Sequence, residues 1–244
     1  MTEKEWIDYR QIYDIPKEEW ASVDWPNKVW YDTSYYNSHE FPMVIPHFLT
    51  DEECEEVVDF IENNLELFDV KVPDSAYEGA EHSIKFWEKR TIAYHQIQNP
   101  RIRQLLWSTN NAVHKVIYRT SNRKSRIYSD HIALVRWWAG YPQSPHGDRC
   151  NPSNDPNVSP WRDWGTLIYL NDDFEGGEIY WPNKGVEFKP QKGALAIHPA
   201  SCEYLHGVRE VTKGYRYTIT SFLTYDEHFK SHIPQPNTKM VRPV

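Results

Sequence analysis

The sequence contains no apolar stretch approaching the roughly 20 residues that a membrane-crossing helix requires, and its mean hydropathy is −0.76. No membrane partner is expected. The opening "MTEKEWIDYR" lacks the apolar core of a secretory signal, so a cytoplasmic location is expected. Basic charge is scarce as well: 27 Lys and Arg face 35 Asp and Glu, a net charge of −8. Broad binding of nucleic acid or anionic lipid needs a basic face, and this balance disfavours it. The one basic run, "RTSNRKSR" at 119–126, reads as a solvated loop between a helix and a strand. Cysteine is nearly absent. Cys54, Cys150 and Cys202 are odd in number and lack metal-ribbon spacing, so they are expected as reduced thiols. Repeats and low-complexity linkers are also missing.

Aromatic residues, in contrast, are abundant. There are 11 Trp and 16 Tyr, and ten aromatics fall within the first 45 residues. Packing explains such residues most simply. A chain of 244 residues can bury one substantial core. The expected organisation is an aromatic-rich N-terminal extension (1–42) packed on the core, one domain (43–230) and an extended C-terminal tail (231–244).

Two helices are legible. Thr50 and Glu53 form a capping-box pattern, followed by Cys54, Val57, Val58, Ile61 and Leu65 along one helical face. Pro100 suits the first turn of a second helix over 100–118, whose stripe is Ile102, Leu105, Leu106, Val113, Val116 and Ile117. From about residue 130 the pattern changes to short β-branched and aromatic runs: "HIALVRWW", "WGTLIYL", "GEIYW", "GVEFKP", "GALAIHP", "EYLHGV" and "YRYTITSFLT". Two helices and then many strands predict a mainly β (α+β) fold, a sandwich or jelly roll with helices packed on one side. The polar stretch 148–161 reads as a loop and a candidate lid.

Within "SPHGDRC", His146 and Asp148 are separated by one residue, which on a strand puts both on one face. Alone, such a pair arises by chance in a chain with 11 histidines. His206 on a separate predicted strand offers a third ligand. Two imidazoles and a carboxylate on one face of an octahedron make the facial triad of non-haem Fe(II) oxygenases, with three positions left open. Arg216, with Thr218 on the same face of its strand, is a rigid cationic fork inside an apolar run. It needs a partner, either a protein carboxylate or a dicarboxylate ligand.

The order His146-x-Asp148, "YLND-DFEGGEIYWP", "FKPQKGALAIHP" and "LHGVREVTKGYRYTITSF" resembles the Fe(II)- and 2-oxoglutarate-dependent dioxygenases, in their prolyl 4-hydroxylase-like branch, over residues 130–224. The segment "IPHFLTDEECEEVVDFI" (45–61) resembles that branch's opening strand and helix. The resemblance implies a double-stranded β-helix with Fe(II) held by His146, Asp148 and His206. It implies 2-oxoglutarate anchored by Arg216, with Thr218 and the hydroxyl of Tyr169 beside it, O₂ as co-substrate and ascorbate as an accessory reductant. Trp137 stands where many relatives carry a tyrosine, and it lacks the phenol oxygen. Asp148 fills the site that iron halogenases leave small. Phe222 stands where the nucleic-acid demethylase branch has a second arginine. The implied activity is hydroxylation of a peptidyl-prolyl residue or a free amino acid. The alternatives are an oxygenase for another small metabolite and a non-catalytic metal-binding β-helix.

His198, in "AIHPA", lacks the context of His206 and is expected not to bind metal. The remaining histidines are expected to be surface or packing residues. "DFEGGE" (173–178) reads as a turn, not a calcium loop. Trp161, Trp164 and Trp181 are candidates for a substrate pocket or for the core.

Overall fold

A computed structural model describes residues 41–69, 87, 89–123, 125–150, 156 and 159–231, together with two short strands at 6–7 and 29–30. Those two, Trp6–Ile7 (β1) and Val29–Trp30 (β2), pair antiparallel. The rest of the N-terminal extension, residues 151–155 and 157–158 of the candidate lid, and the tail from 232 onward lie outside the described residues.

The first long helix, α1 (Asp51–Glu62), starts where its capping box dictates. Thr50 Oγ1 accepts from the Glu53 amide at 3.2 Å, and a Glu53 carboxylate oxygen accepts from the Thr50 amide at 3.0 Å. Cys54, Val57 and Ile61 are fully buried, and burial pushes the Cys54 thiol up to about 12. The helix ends earlier than the apolar stripe predicts, because the side-chain amides of Asn63 and Asn64 donate to the Asp59 and Phe60 carbonyls. Leu65 falls beyond that stop and is 43 % exposed. The second helix, α2 (Pro100–Thr120), is capped by Asn99, and all six stripe residues are buried.

The main sheet has six strands. Met43–Ile45 (β3), Leu195–Pro199 (β11), Trp164–Tyr169 (β7), Tyr215–Thr224 (β14), Tyr128–Trp138 (β5) and Thr91–Ala93 (β4) lie side by side in that order. The smaller sheet orders Val186–Phe188 (β10), Ile179–Trp181 (β9), His206–Val208 (β12) and Gln143–His146 (β6). Glu175–Gly176 (β8) and Val211–Lys213 (β13) form a separate pair. All pairings are antiparallel. The two sheets form a double-stranded β-helix with both long helices against the main sheet.

Period-two alternation sorts the main sheet into two faces. Along β14, Tyr217, Ile219 and Leu223 join the helix-side core with Ile132, Leu134, Ile168, Leu195 and Ile197. The intervening Arg216, Thr218, Thr220 and Phe222 face the space between the sheets. The inward face of β14 thus supplies the Arg216 and Thr218 side of the site, opposite the smaller sheet.

Two expectations are corrected. Cys150 and Cys202, 52 residues apart, are joined as a disulfide with Cα atoms 6.0 Å apart, so only Cys54 is a free thiol. Their spacing in sequence carries no trace of this, because the fold folds the β6 and β12 loops onto each other. His146 and Asp148 do not share a strand: β6 ends at His146 and Asp148 follows in a turn. A side chain at Gly147 would meet the Cys150 carbonyl at 2.8 Å, which keeps that turn tight. Among the described residues no helix is long and apolar enough to cross a membrane.

Two histidines of this core carry an acid liability. The His114 ring lies between Asn110 and the Ser129 hydroxyl, and the His131 ring stacks on Phe222. Desolvation pushes both from 6.5 down to about 4. The native state therefore holds them neutral, a contribution fully present above their ordinary value and lost as pH falls toward the folded value. Urea unfolding at pH 7, 6 and 5 is expected to show stability falling below pH 6.5 by up to about 1.4 kcal/mol per pH unit for each histidine. In the same assay at pH 7, Thr50→Ala is expected to cost about 1 kcal/mol.

Candidate metal centre

Register, not sequence proximity, assembles the site. In the smaller sheet His206, the first residue of β12, pairs directly with His146, the last of β6. Their rings lie 4.5 Å apart between centroids. The turn after β6 returns Asp148 to the same place, with a carboxylate oxygen (Oδ1) 3.7 Å from His206 Nε2. One ligand atom from each of His146, Asp148 and His206 lies within 4.8 Å of the other two.

The hydrogen bonds prepare these groups for a cation. His146 Nδ1 lies 3.0 Å from the Ser144 carbonyl, and His206 Nδ1 lies 3.1 Å from the Tyr204 carbonyl. A carbonyl only accepts, so each ring carries its proton on Nδ1 and presents the Nε2 lone pair inward. The Gln143 side-chain amide donates to the His146 Nε2 lone pair at 3.2 Å, in the position a cation would take. Burial, with His198 and His146 close by, pushes His206 well below its ordinary value, so it is neutral as a ligand must be. Asp148 is 5 % exposed, and its second oxygen, Oδ2, is buried without a hydrogen-bond partner. A buried carboxylate beside two imidazoles is a donor set suited to a divalent metal, and these residues fit the iron that the sequence resemblance implies.

The other sequence candidates converge on the same interior. Arg216 is 1 % exposed, with one nitrogen 3.5 Å from the Tyr169 hydroxyl and its Nε without a partner. Among the described residues it forms no ion pair. The hydroxyl of Thr218, one β-pair from Tyr169, is also buried without a partner. Trp137 pairs across the sheet with Arg216 and lies against its guanidinium at 5.5 Å. Its indole N–H donates to the Tyr141 carbonyl at 2.7 Å, so this residue serves as a wall and offers no free donor. A narrow cleft lined by Trp137, Ile179, Val208, Arg216 and Thr218 runs to the three clustered ligands.

Next to that cleft, and sharing part of its wall, a cavity of about 300 Å³ opens beside His146 and Asp148. Its aromatic walls are Trp87 and Phe222; its polar groups include Thr91, His131, Gln143 and Arg162. Arg162 is held by Asp130 at 2.8 Å and lies 3.7 Å above the Phe222 ring. None of the three candidate tryptophans lines this cavity. Trp161 stacks on Phe229, Trp164 donates to the Tyr225 hydroxyl, and Trp181 is buried against His198.

The sequence reading also missed residues. Gln143 and Trp87 carry no local signal of their position. Phe222 was readable, since it shares a face with Arg216 and Thr218 at period two. Gly165 in β7 is the clearest omission: a Cβ there would lie 2.2 Å from Asp148 Oδ2 and 2.5 Å from His198 Cε1. The missing side chain is the space that the carboxylate occupies. Gly165→Ala is therefore expected to displace Asp148 and weaken divalent-metal binding at least about tenfold, measured by calorimetric titration of the metal-free protein with Mn(II).

Comparison with known proteins agrees with this geometry. Residues 132–224 match the family described as the 2OG-Fe(II) oxygenase superfamily. Human prolyl 3-hydroxylase 2 is 32% identical over 97 residues, which cover 35% of this chain and 14% of that protein. A putative prolyl 4-hydroxylase of Acanthamoeba polyphaga mimivirus is 26% identical over 181 residues, covering 69% of this chain and 66% of the viral one. The chain thus spans a small fraction of the length of the prolyl 3-hydroxylases it matches. In fold it is similar to the viral collagen prolyl hydroxylase of Paramecium Bursaria Chlorella virus-1, solved as a 2OG complex, with TM-score 0.55, 16% identity and coverage of 76% of this chain and 96% of that one. A Pseudomonas putida prolyl-4-hydroxylase gives TM-score 0.50 at 14% identity, covering 78% of this chain and 90% of that one. The clustered histidines, Asp148 and Arg216 all lie inside the segment that matches the 2OG-Fe(II) oxygenase superfamily, and the fold is similar to that of the prolyl hydroxylase structures.

Proposed function

We propose that this protein is an Fe(II)- and 2-oxoglutarate-dependent hydroxylase acting on a prolyl residue in a peptide. The observation that carries the reading is the pairing, in one interior, of the three-ligand cluster with a buried guanidinium that has no acidic partner among the described residues. A buried charge without a counter-charge costs several kcal/mol. A dicarboxylate reaching from the cluster to Arg216 supplies that counter-charge, and a simple metal-binding β-helix has no use for it.

In this reading His146, Asp148 and His206 hold the iron. Arg216 takes the distal carboxylate of 2-oxoglutarate through its guanidinium fork, and the Tyr169 and Thr218 hydroxyls complete that end. Iron, with 2-oxoglutarate and O₂ bound, supplies the oxidising power: the keto acid leaves as succinate and CO₂, and one oxygen atom is inserted into a substrate C–H bond. The protein's part is to fix the ligands, anchor the co-substrate and exclude water. Ile179, Val208 and Trp137 line the cleft with apolar surface that does this.

The cavity of about 300 Å³ is the substrate side of the site. Its aromatic walls suit the face of a saturated five-membered ring, and Arg162 and Gln143 offer donors to peptide carbonyls. The prolyl hydroxylases among its relatives support the same substrate class. Free amino acids and other small metabolites are the competing substrates, and ascorbate is proposed as the reductant that keeps the iron ferrous.

Anaerobic titration with Fe(II) and then 2-oxoglutarate, followed by the weak visible charge-transfer band of the chelate, tests the core of the proposal. Wild type is expected to develop the band. Asp148→Ala is expected to abolish it, and Arg216→Ala to raise the 2-oxoglutarate concentration needed at least about tenfold, the loss of a charge-assisted pair worth about 1.5–3 kcal/mol. No band in folded, iron-loaded wild type overturns the assignment. Mass spectrometry of proline-containing peptides and free amino acids, read for a +16 product, then separates the substrate classes.

A further inference from the structure

The cleft that reaches the ligand cluster is lined by one imidazole that the proposed ligand set does not use. His198, on β11, is 1 % exposed, and its ring centroid lies 4.1 Å from that of His206. It stands directly across the sheet from Gly165. Alternation along β11 explains its place: Leu195 and Ile197 pack toward the helices, while Ala196 and His198 turn inward.

The two oxygens of Asp148 have different surroundings. Oδ1 faces His206 Nε2, the side on which a cation would sit. Oδ2 points away, has no hydrogen-bond partner, and lies 3.8 Å from His198 Nδ1. The other neighbour of that nitrogen is the Pro199 carbonyl at 3.2 Å. Since a carbonyl only accepts, His198 carries its proton on Nδ1. That single N–H is directed at the Pro199 carbonyl, and Asp148 Oδ2, the oxygen that lacks a donor, is the carboxylate atom nearest to it, so a bond to Oδ2 would share or replace the one to Pro199. Gly165 leaves open the space in which the carboxylate and this ring meet.

We propose that His198 is a positioning residue for Asp148, donating Nδ1–H to Oδ2 so that only Oδ1 is left for the metal. This rests on the reading of His146, Asp148 and His206 as the ligand set. The gap of 3.8 Å needs to close by somewhat less than about 1 Å to give an ordinary N–H···O bond. The consequence is specific to this chemistry. A carboxylate with both oxygens free can chelate and occupy a second coordination position. One held through Oδ2 binds by a single oxygen and keeps the open positions that co-substrate and O₂ require.

The test uses the full-length metal-free protein under anaerobic conditions, titrated with Fe(II), in wild type, His198→Asn and His198→Leu. The Asn amide nitrogen stands close to the position of Nδ1 and keeps a donor; Leu fills space without one. His198→Leu is expected to bind Fe(II) about 10- to 100-fold more weakly, and His198→Asn within about threefold of wild type. Equal affinity in all three variants overturns the proposal, and so does an equal loss in Asn and Leu, which would mean packing alone. Wild-type protein labelled with ¹⁵N-histidine gives a readout independent of variant folding. A protected His198 Nδ1–H resonance that shifts on Zn(II) loading is expected, and an Nε2–H tautomer overturns the proposal. Wild type that binds no Fe(II) removes the ligand-set reading, and this inference with it; normal binding with an unaffected Leu variant removes the inference alone.

Discussion

The guanidinium of Arg216 is a positive charge near the start of β14, an interior strand of the main sheet, withdrawn from water and without an ion pair among the described residues. Much of the surrounding structure is arranged around this group. Trp137 and Tyr169 flank it from the two neighbouring strands. The unpartnered hydroxyl of Thr218 lies two residues along the same face, and the unpartnered Asp148 oxygen stands at the far end of the same interior. Folded proteins satisfy their buried polar groups nearly always. An interior with several unsatisfied groups of complementary kind, a cation at one end and a carboxylate with imidazoles at the other, is one shaped for ligands.

The scaffold supports that interior by dividing labour between the faces of the main sheet. One face is sealed by the two helices through a continuous apolar cluster, so its strands are held without help from the site. The other face is free to carry Arg216, Thr218, His198 and Gly165. The smaller sheet contributes less core and more chemistry: its β6–β12 pairing brings two histidines into register, and the Cys150–Cys202 disulfide joins the loops that follow one and precede the other. A site spread over two sheets depends on their spacing, which is why a single methyl group at Gly165 matters.

Much of this was legible beforehand because it is local or periodic. The capping box at Thr50, the six-residue stripe of α2 and the alternation along β14 follow from side-chain spacing alone, and the structure reproduces each. The group of His146, Asp148, His206 and Arg216 was readable from the order of its motifs. Less legible were features that depend on where one chain segment meets another. Leu65 continues an apolar stripe, yet Asn63 and Asn64 stop the helix before it. Trp161 and Trp164 have the composition of a pocket wall, but tertiary packing turns them to Phe229 and Tyr225, while Trp87 and Phe222 line the cavity instead.

By itself the sequence determined the two long helices, the strand-rich second half, the two faces of β14 and the chemical kinds of group that would be brought together, because these depend on periods of two and 3.6 residues and on side-chain identity. Tertiary structure alone decided the pairing of Cys150 with Cys202, the turn that carries Asp148 out of the strand of His146, and the approach of His198 to the Asp148 oxygen. Those contacts join residues about 50 apart or set distances to within an ångström. No periodicity encodes them; they come from the register of β6 on β12 and of β11 on β7, which only the packed sheets fix.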